Sequence, residues 1–286
     1  SSDLYAPSGI DDKALGTKIY ATQIEDESKM RSWLNFNTSN PGKLNRIREF
    51  ENAIGEQQYG LFLGCWGGDK YYGYYGIANL NSNNPAFEWR GFQDFVSLDV
   101  ETGETTSFPV IQDMSYNPSN GNVYAMAKFQ KDENTDAVSI LYTIDKETGE
   151  LSGEVTRFQD QILDFCFDYE GNMYAVAIYW TNAEGGGFQW SGTLLNKYDA
   201  EFEKVDGKQM RIKDMDKKDV LVNGYGSLSF DYTTGDLYLA SCIAPTDGSS
   251  NYDRFVKLDP KTGKYVDYPQ SFNSGNMIVG MYIPYF

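Results

Sequence analysis

Two aspartates, Asp113 and Asp164, stand at matching places in two similar segments, Asp113-Met-Ser-Tyr-Asn and Asp164-Phe-Cys-Phe-Asp. Paired carboxylates suit two kinds of chemistry. They can hold a hard cation such as Ca²⁺ through oxygen, or divide the acid and base roles of glycan cleavage between them. A structural reading competes with both, because a strand-end aspartate also accepts backbone N–H bonds. In the other copies of the segment the matching positions are Leu63, Ser227 and Gly280, so a third acid is missing. The chain has no histidine. That removes the usual general base and the commonest metal ligand together. Ser-His-Asp and Cys-His catalysis, and ligation of zinc or haem by His, are excluded. The expectation is that no catalysis occurs, with Asp113 and Asp164 the acid/base candidates if it does. They are also the places a Ca²⁺ would go, although no metal or other cofactor is expected.

A second group of residues suits recognition. Phe87, Trp89, Arg90 and Phe92 lie close together, as do Trp180, Phe188 and Trp190, with Tyr252 in a third segment. Aromatic rings beside Asn83, Asn84, Glu88 and Arg90 suit stacking on sugars or other flat ligands. The competing reading is that the rings pack down on neighbouring loops. Phe87, Trp89, Arg90, Trp180, Phe188, Trp190 and Tyr252 are the candidate ligand-binding residues.

These residues need a scaffold, and the chain repeats itself in a way that supplies one. One hairpin signature reads Met114-Ser-Tyr-Asn-Pro-Ser-Asn-Gly-Asn-Val-Tyr-Ala, then Phe165-Cys-Phe-Asp-Tyr-Glu-Gly-Asn-Met-Tyr-Ala, then Leu228-Ser-Phe-Asp-Tyr-Thr-Thr-Gly-Asp-Leu-Tyr-Leu. A degenerate copy is Gly64-Cys-Trp-Gly-Gly-Asp-Lys-Tyr-Tyr-Gly. A second signature alternates with it: Leu98-Asp-Val-Glu-Thr-Gly-Glu, Ile144-Asp-Lys-Glu-Thr-Gly-Glu and Leu258-Asp-Pro-Lys-Thr-Gly-Lys, with weaker copies at Phe36 and Tyr198. Each joins two period-2 strands at a Gly- or Asp-bearing turn. Successive copies are spaced by roughly 45 to 65 residues, the interval of a four-stranded propeller blade. Asp99, Asp145, Asp168, Asp199, Asp231 and Asp259 recur before these turns, where they are expected to accept turn N–H groups.

Five second hairpins but only four first hairpins are present, and the missing one is split between the ends. The tail Ile278-Val-Gly-Met-Tyr-Ile matches an innermost strand, and the head Lys18-Ile-Tyr-Ala-Thr-Gln matches its partner. The expected fold is all-β: a five-bladed β-propeller closed by the C-terminal strand pairing with the N-terminal blade. Residues 1–16 would be a lead-in segment and 17–286 a single domain. The candidate rings would then lie in loops of one face, near residues 25–32, 78–92, 130–136, 181–190 and 245–252. Along the inner strands, large residues (Met114, Tyr116, Phe165, Phe167) alternate with small ones (Ser115, Cys166, Ser229, and Cys65 in the degenerate copy). Small side chains are what converging strands can pack.

The Phe/Tyr-Asp/Asn-x-x-Gly-Asn/Asp-x-Tyr and Leu/Ile-Asp-x-x-Thr-Gly patterns resemble the NHL- and YVTN-type propeller repeats over about residues 17–286. The resemblance implies a fold, which serves binders, enzymes and scaffolds alike. The Tyr- and Asn-rich style and the Ser1-Ser2-Asp3 start also resemble surface lipoproteins of Bacteroidota. That implies an extracytoplasmic place, at the cell surface or in the periplasm, with a lipid anchor upstream of Ser1.

A net charge of −17 disfavours nucleic acid and anionic membranes as partners. No apolar run reaches the roughly 20 residues needed to span a bilayer. Three cysteines with no close pair read as buried thiols rather than a disulfide framework. The expected function is non-catalytic binding of a glycan or small nutrient by a monomer at the aromatic-rich face. The alternatives are a glycan-active hydrolase or lyase using the channel carboxylates, and a protein-interaction scaffold in a surface complex.

Overall fold

A computed structural model of the chain describes residues 16–25, 31–50, 61–68, 71–75, 87–91, 110–129, 138–182, 184, 186–205, 210–245, 252–272 and 276–284. Every regular element among them is a β-strand. The chain opens with β1 (Lys18–Glu25), β2 (Arg31–Asn37) and β3 (Asn40–Phe50), followed by β4 (Leu61–Trp66), β5 (Tyr71–Tyr75) and β6 (Phe87–Gly91). Next come β7 (Val110–Asn117), β8 (Asn122–Phe129), β9 (Val138–Ile144) and β10 (Leu151–Phe158). After them lie β11 (Ile162–Phe167), β12 (Met173–Asn182), β13 (Phe188–Tyr198) and β14 (Met210–Arg211). The last are β15 (Val220–Phe230), β16 (Leu237–Pro245), β17 (Tyr252–Leu258), β18 (Gln270–Ser271) and β19 (Asn276–Tyr282).

The sheets form an all-β propeller arrangement. Three run consecutively as β7–β10, β11–β14 and β15–β18, each a four-stranded antiparallel meander. A fourth has the order β19-β1-β2-β3, so both ends of the described chain contribute to it. There β1 runs antiparallel to β19, with Tyr20 opposite Tyr282 and Ala21 opposite Met281.

Four such blades are described, not the five expected. In the degenerate copy only β4, β5 and β6 form a sheet, and β6 lies parallel to β5. A parallel neighbour cannot be reached by a tight hairpin. The hairpin read at Gly64–Gly73 is formed, with β4 antiparallel to β5 and Cys65 opposite Tyr72, but the strand on the other side of β5 is not a hairpin partner. The second hairpin of that copy, with Asp99, lies outside the described residues.

The hairpins explain why the repeats carry aspartate. Asp145 Oδ1 accepts the N–H groups of Glu147 and Thr148 at 2.8 and 2.9 Å. Asp199, Asp231 and Asp259 accept turn N–H groups in the same way. Asp168 uses both oxygens: Oδ1 accepts from the N–H of Glu170 and of Asn172, and Oδ2 from the Asn172 amide at 2.8 Å. Its turn needs Gly171, whose φ is +89° and where an added Cβ would lie 2.5 Å from Ser119 Oγ of the preceding blade. Replacing the buried Asp168 by Ala orphans those donors, so a loss of about 1–3 kcal/mol is expected in urea unfolding.

Core side chains fill the spaces between blades. Tyr124, Met126 and Leu141 of one blade meet Phe165, Phe167 and Met173 of the next. Leu163, Tyr174 and Val176 meet Val222, Leu228 and Val256, and Tyr238 and Phe255 meet Ile19, Leu34 and Ile278. A blade between two others is covered on both faces, so β11 is buried throughout and β12 from Met173 to Ala177. Polar staples add direction. Ser139 Oγ accepts the Ile162 N–H at 2.8 Å, Thr193 Oγ1 the Val222 N–H at 2.9 Å, and Ser227 Oγ the Met281 N–H at 3.0 Å.

Candidate active site

The inner strands β7, β11, β15 and β19 stand side by side around the centre, and their small-residue faces meet there. Cys65, Ser115, Cys166 and Ser229, with Tyr282, line a cavity of about 50 Å³. A space of this size holds a few waters. The three cysteines are free thiols. Burial, aided by the charge of Asp113, pushes the Cys65 and Cys166 thiols up, so both stay neutral.

Asp113 and Asp164 sit at the matched position one step before these small residues, on the adjacent strands β7 and β11. They are only 2% and 1% exposed. Asp113 is held on both oxygens: Oδ1 accepts the Met114 N–H and Oδ2 the Phe165 N–H of the next blade, each at 2.8 Å. That second bond is the counterpart of the one from Met281 to Ser227. Asp164 differs, because its Oδ2 is buried and has no hydrogen-bond partner.

The electrostatics follow from this asymmetry. Burial raises both carboxyls, taking Asp164 up to about 7. Asp113 is raised by burial and by the neighbouring Asp164 charge, against the two backbone N–H groups, which favour its anion. Two carboxyls so coupled titrate as a pair. Asp113 stays raised in spite of those N–H groups, so the pair shares a proton near neutral pH. The result is a carboxylate beside a carboxylic acid near neutral pH.

The aromatic candidates fall elsewhere, and not in loops. Trp180 lies on β12, Phe188 and Trp190 on β13, Phe87, Trp89 and Arg90 on β6, and Tyr252 begins β17. The β12 and β13 strands outrun the inner strand beside them, so their ends continue as a paired ribbon where the sequence suggested a loop. Trp180 and Trp190 are cross-strand partners. Trp180 is 41% exposed, while the Trp190 indole donates to Gly192 O at 2.7 Å. The side chains of Phe87, Trp89, Arg90, Phe188 and Tyr252 lie outside what is described, as do Asn83, Asn84 and Phe92. Sequence reasoning missed Tyr282 as a wall of the central cavity. The repeat alignment carried that signal, since Tyr282 matches Cys166.

No family model matches the chain, and no curated protein matches it. Among solved structures it is similar to an N-acetylgalactosamine deacetylase from F. plautii in complex with blood group B trisaccharide. That likeness has 9% identity and a TM-score of 0.37, over 62% of this chain and 56% of the other. It is similar to a GH43_1 enzyme from Xanthomonas citri at 13% identity and a TM-score of 0.34, over 58% and 56%. A third likeness is to an exo-1,5-alpha-L-arabinanase from a bovine ruminal metagenomic library, at 14% identity and a TM-score of 0.31, over 92% and 75%. The chain thus spans little more than half the length of the first two. Likenesses this distant do not by themselves assign an activity.

The expectation of a non-catalytic binding propeller is nevertheless corrected. Its similar structures are named for glycan-active enzymes. It also rested on a missing third acid, whereas the geometry already pairs a buried acid with a buried carboxylate.

Proposed function

We propose that the protein is a glycan-active hydrolase or lyase whose acid/base pair is Asp164 and Asp113. The observation that carries this reading is Asp164 itself, a buried carboxyl with an unpartnered oxygen that holds a proton up to about pH 7. A general acid is most effective when its pKa lies near the working pH. Asp113, fixed by two N–H groups, is the neighbouring carboxyl that shares the proton and takes the base role. Exclusion of water from the pair keeps that proton in place until a substrate oxygen enters.

The reading also carries a view of the ring. β4 packs against both β19 and β7, and Trp66 stacks on Tyr282 with ring centroids 4.5 Å apart. We infer that β4 is the inner strand of a fifth blade, three strands of which lie among the described residues, closing the circle between the first and last sheets.

The test is turnover on plant and host oligosaccharides by the parent, Asp164→Asn and Asp113→Asn. Product from the parent, reduced at least 100-fold in Asp164→Asn, is the expected result. Activity that survives in Asp164→Asn, or a parent with none, would overturn the proposal.

A further inference from the structure

We propose that Trp180 and Trp190 form a sugar-stacking subsite for a ring of the same glycan chain, remote from the bond that Asp164 and Asp113 act on; this rests on the glycan-active reading. The pairing of the two indoles is built rather than incidental. In the regular register of β12 and β13, Ile178 faces Thr193 and Tyr179 faces Gly192, which would put Trp180 opposite Ser191. A bulge after Tyr179 skips Ser191 and sets Trp180 opposite Trp190 instead. Bulges of this kind re-aim side chains and are frequent beside active sites. Here the skipped residue is tied down, with the Ser191 and Thr181 hydroxyls in hydrogen-bond contact.

Cross-strand partners project from the same face of a ribbon, so the two indoles share one surface. Trp190 is oriented by its bond to Gly192 O, which spends its N–H and leaves the apolar ring. Trp180 is the exposed half of the pair. Exposed Asn182, two residues beyond Trp180 on β12, puts an amide group on the same face. An aromatic face with an amide beside it fits the C–H face and hydroxyl edge of a sugar ring.

The position suits the role. Val176 is the strand partner of Asp164, and Trp180 lies four residues beyond it towards the end of β12. At the rise of a β-strand that is about 13 Å. It is on the side where β11 begins, which is also the side nearer Asp164. The separation exceeds one sugar ring, so the stacked ring and the cleaved bond belong to different units of one oligosaccharide.

Binding of xylan-, arabinan- and mannan-derived oligosaccharides and host O-glycans, from disaccharides upward, is measured for the parent, Trp180→Ala and Trp180→Phe, each in the Asp164→Asn background. Turnover is followed in parallel without that change. The expected result is affinity for a longer oligosaccharide that falls 10- to 100-fold in Trp180→Ala, is largely kept in Trp180→Phe, and shows a smaller loss for disaccharides. Equal affinity of Trp180→Ala and parent overturns the subsite, even if turnover stands. Trp180-dependent binding without turnover upholds the subsite and sinks the enzymatic reading. Absence of binding to every probe overturns both.

Discussion

At pH 8, Asp164→Asn unfolds at higher urea than the parent, with a gain of up to about 4 kcal/mol that disappears near pH 4. The size comes from the distance between two pKa values. Asp164 titrates near 7 in the folded chain because burial disfavours its charge, and near 3.9 once unfolded. Each unit of difference is about 1.4 kcal/mol. The sign follows from proton binding. Between pH 4 and 7 the folded state holds a proton that the unfolded state has lost, so stability falls as pH rises through that window. Below pH 4 both states are protonated and the penalty is absent. Asparagine has the shape of the acid and never charges, so it escapes the penalty. Urea titrations of both proteins at several pH values give the difference directly. Parallel stability profiles would refute the buried, protonated state. Asp113→Asn sets two effects against each other, because it too removes a carboxyl that burial raises. Its two backbone donors need two acceptor oxygens, and an amide NH₂ facing one of them costs about 1–3 kcal/mol.

A chain ended at Phe272 should lose cooperative unfolding altogether. The truncation removes β19 and with it the buried Ile278, Val279, Met281 and Ile283. It leaves β1 without the partner that Tyr282, Met281 and Gly280 provide, and Ser227 without the Met281 N–H. Losing one large buried side chain costs about 2–5 kcal/mol. Four together match or exceed the 5–15 kcal/mol by which a typical domain is stable. Broad, non-sigmoidal urea and thermal curves are expected. A truncated chain that melted like the parent would show that the first blade stands without its last strand.

The parts of this architecture that could be read from the residues are those whose cause is local. An aspartate or asparagine followed by a glycine turn declares a hairpin through its own hydrogen bonds, and Asn117, Asp145, Asp168 and Asp231 all do so. The match of Ile278–Tyr282 to an inner strand was legible because Met281 and Ile283 repeat the large apolar places of Phe165 and Phe167, although Tyr282 breaks the pattern at the small position. In the degenerate copy the hairpin was legible too, but the parallel β5–β6 pair was not, since no local turn signal announces a parallel partner. Within the site, repeat alignment was enough to place Asp113 and Asp164 together. Their difference was not readable. Asp113 meets the Phe165 N–H across the blade boundary, whereas Asp164 Oδ2 meets none, and only packing of one sheet on the next decides that. Trp180 and Trp190 were taken for loop residues because Gly185-Gly186-Gly187 looks like the centre of a long loop. The strands instead extend to Asn182 and resume at Phe188.

The sheet shared by β1 and β19 also sets a timetable. During synthesis β1 emerges first and its partner last, and at about 5–20 residues per second the wait is on the order of tens of seconds. Hairpins such as Asp168–Asn172 and Asp231–Asp236 close within microseconds of leaving the ribosome, but the first sheet has an open edge until Tyr282 arrives beside Tyr20. An unpaired edge of that kind invites pairing with another chain. Lys43, Arg46 and Arg48 lie on β3 and discourage such pairing at the opposite edge of the sheet, but not at β1. A nascent chain stalled short of Asn276 would therefore keep that edge open and be protease-sensitive, with resistance expected only once Tyr282 has paired beside Tyr20.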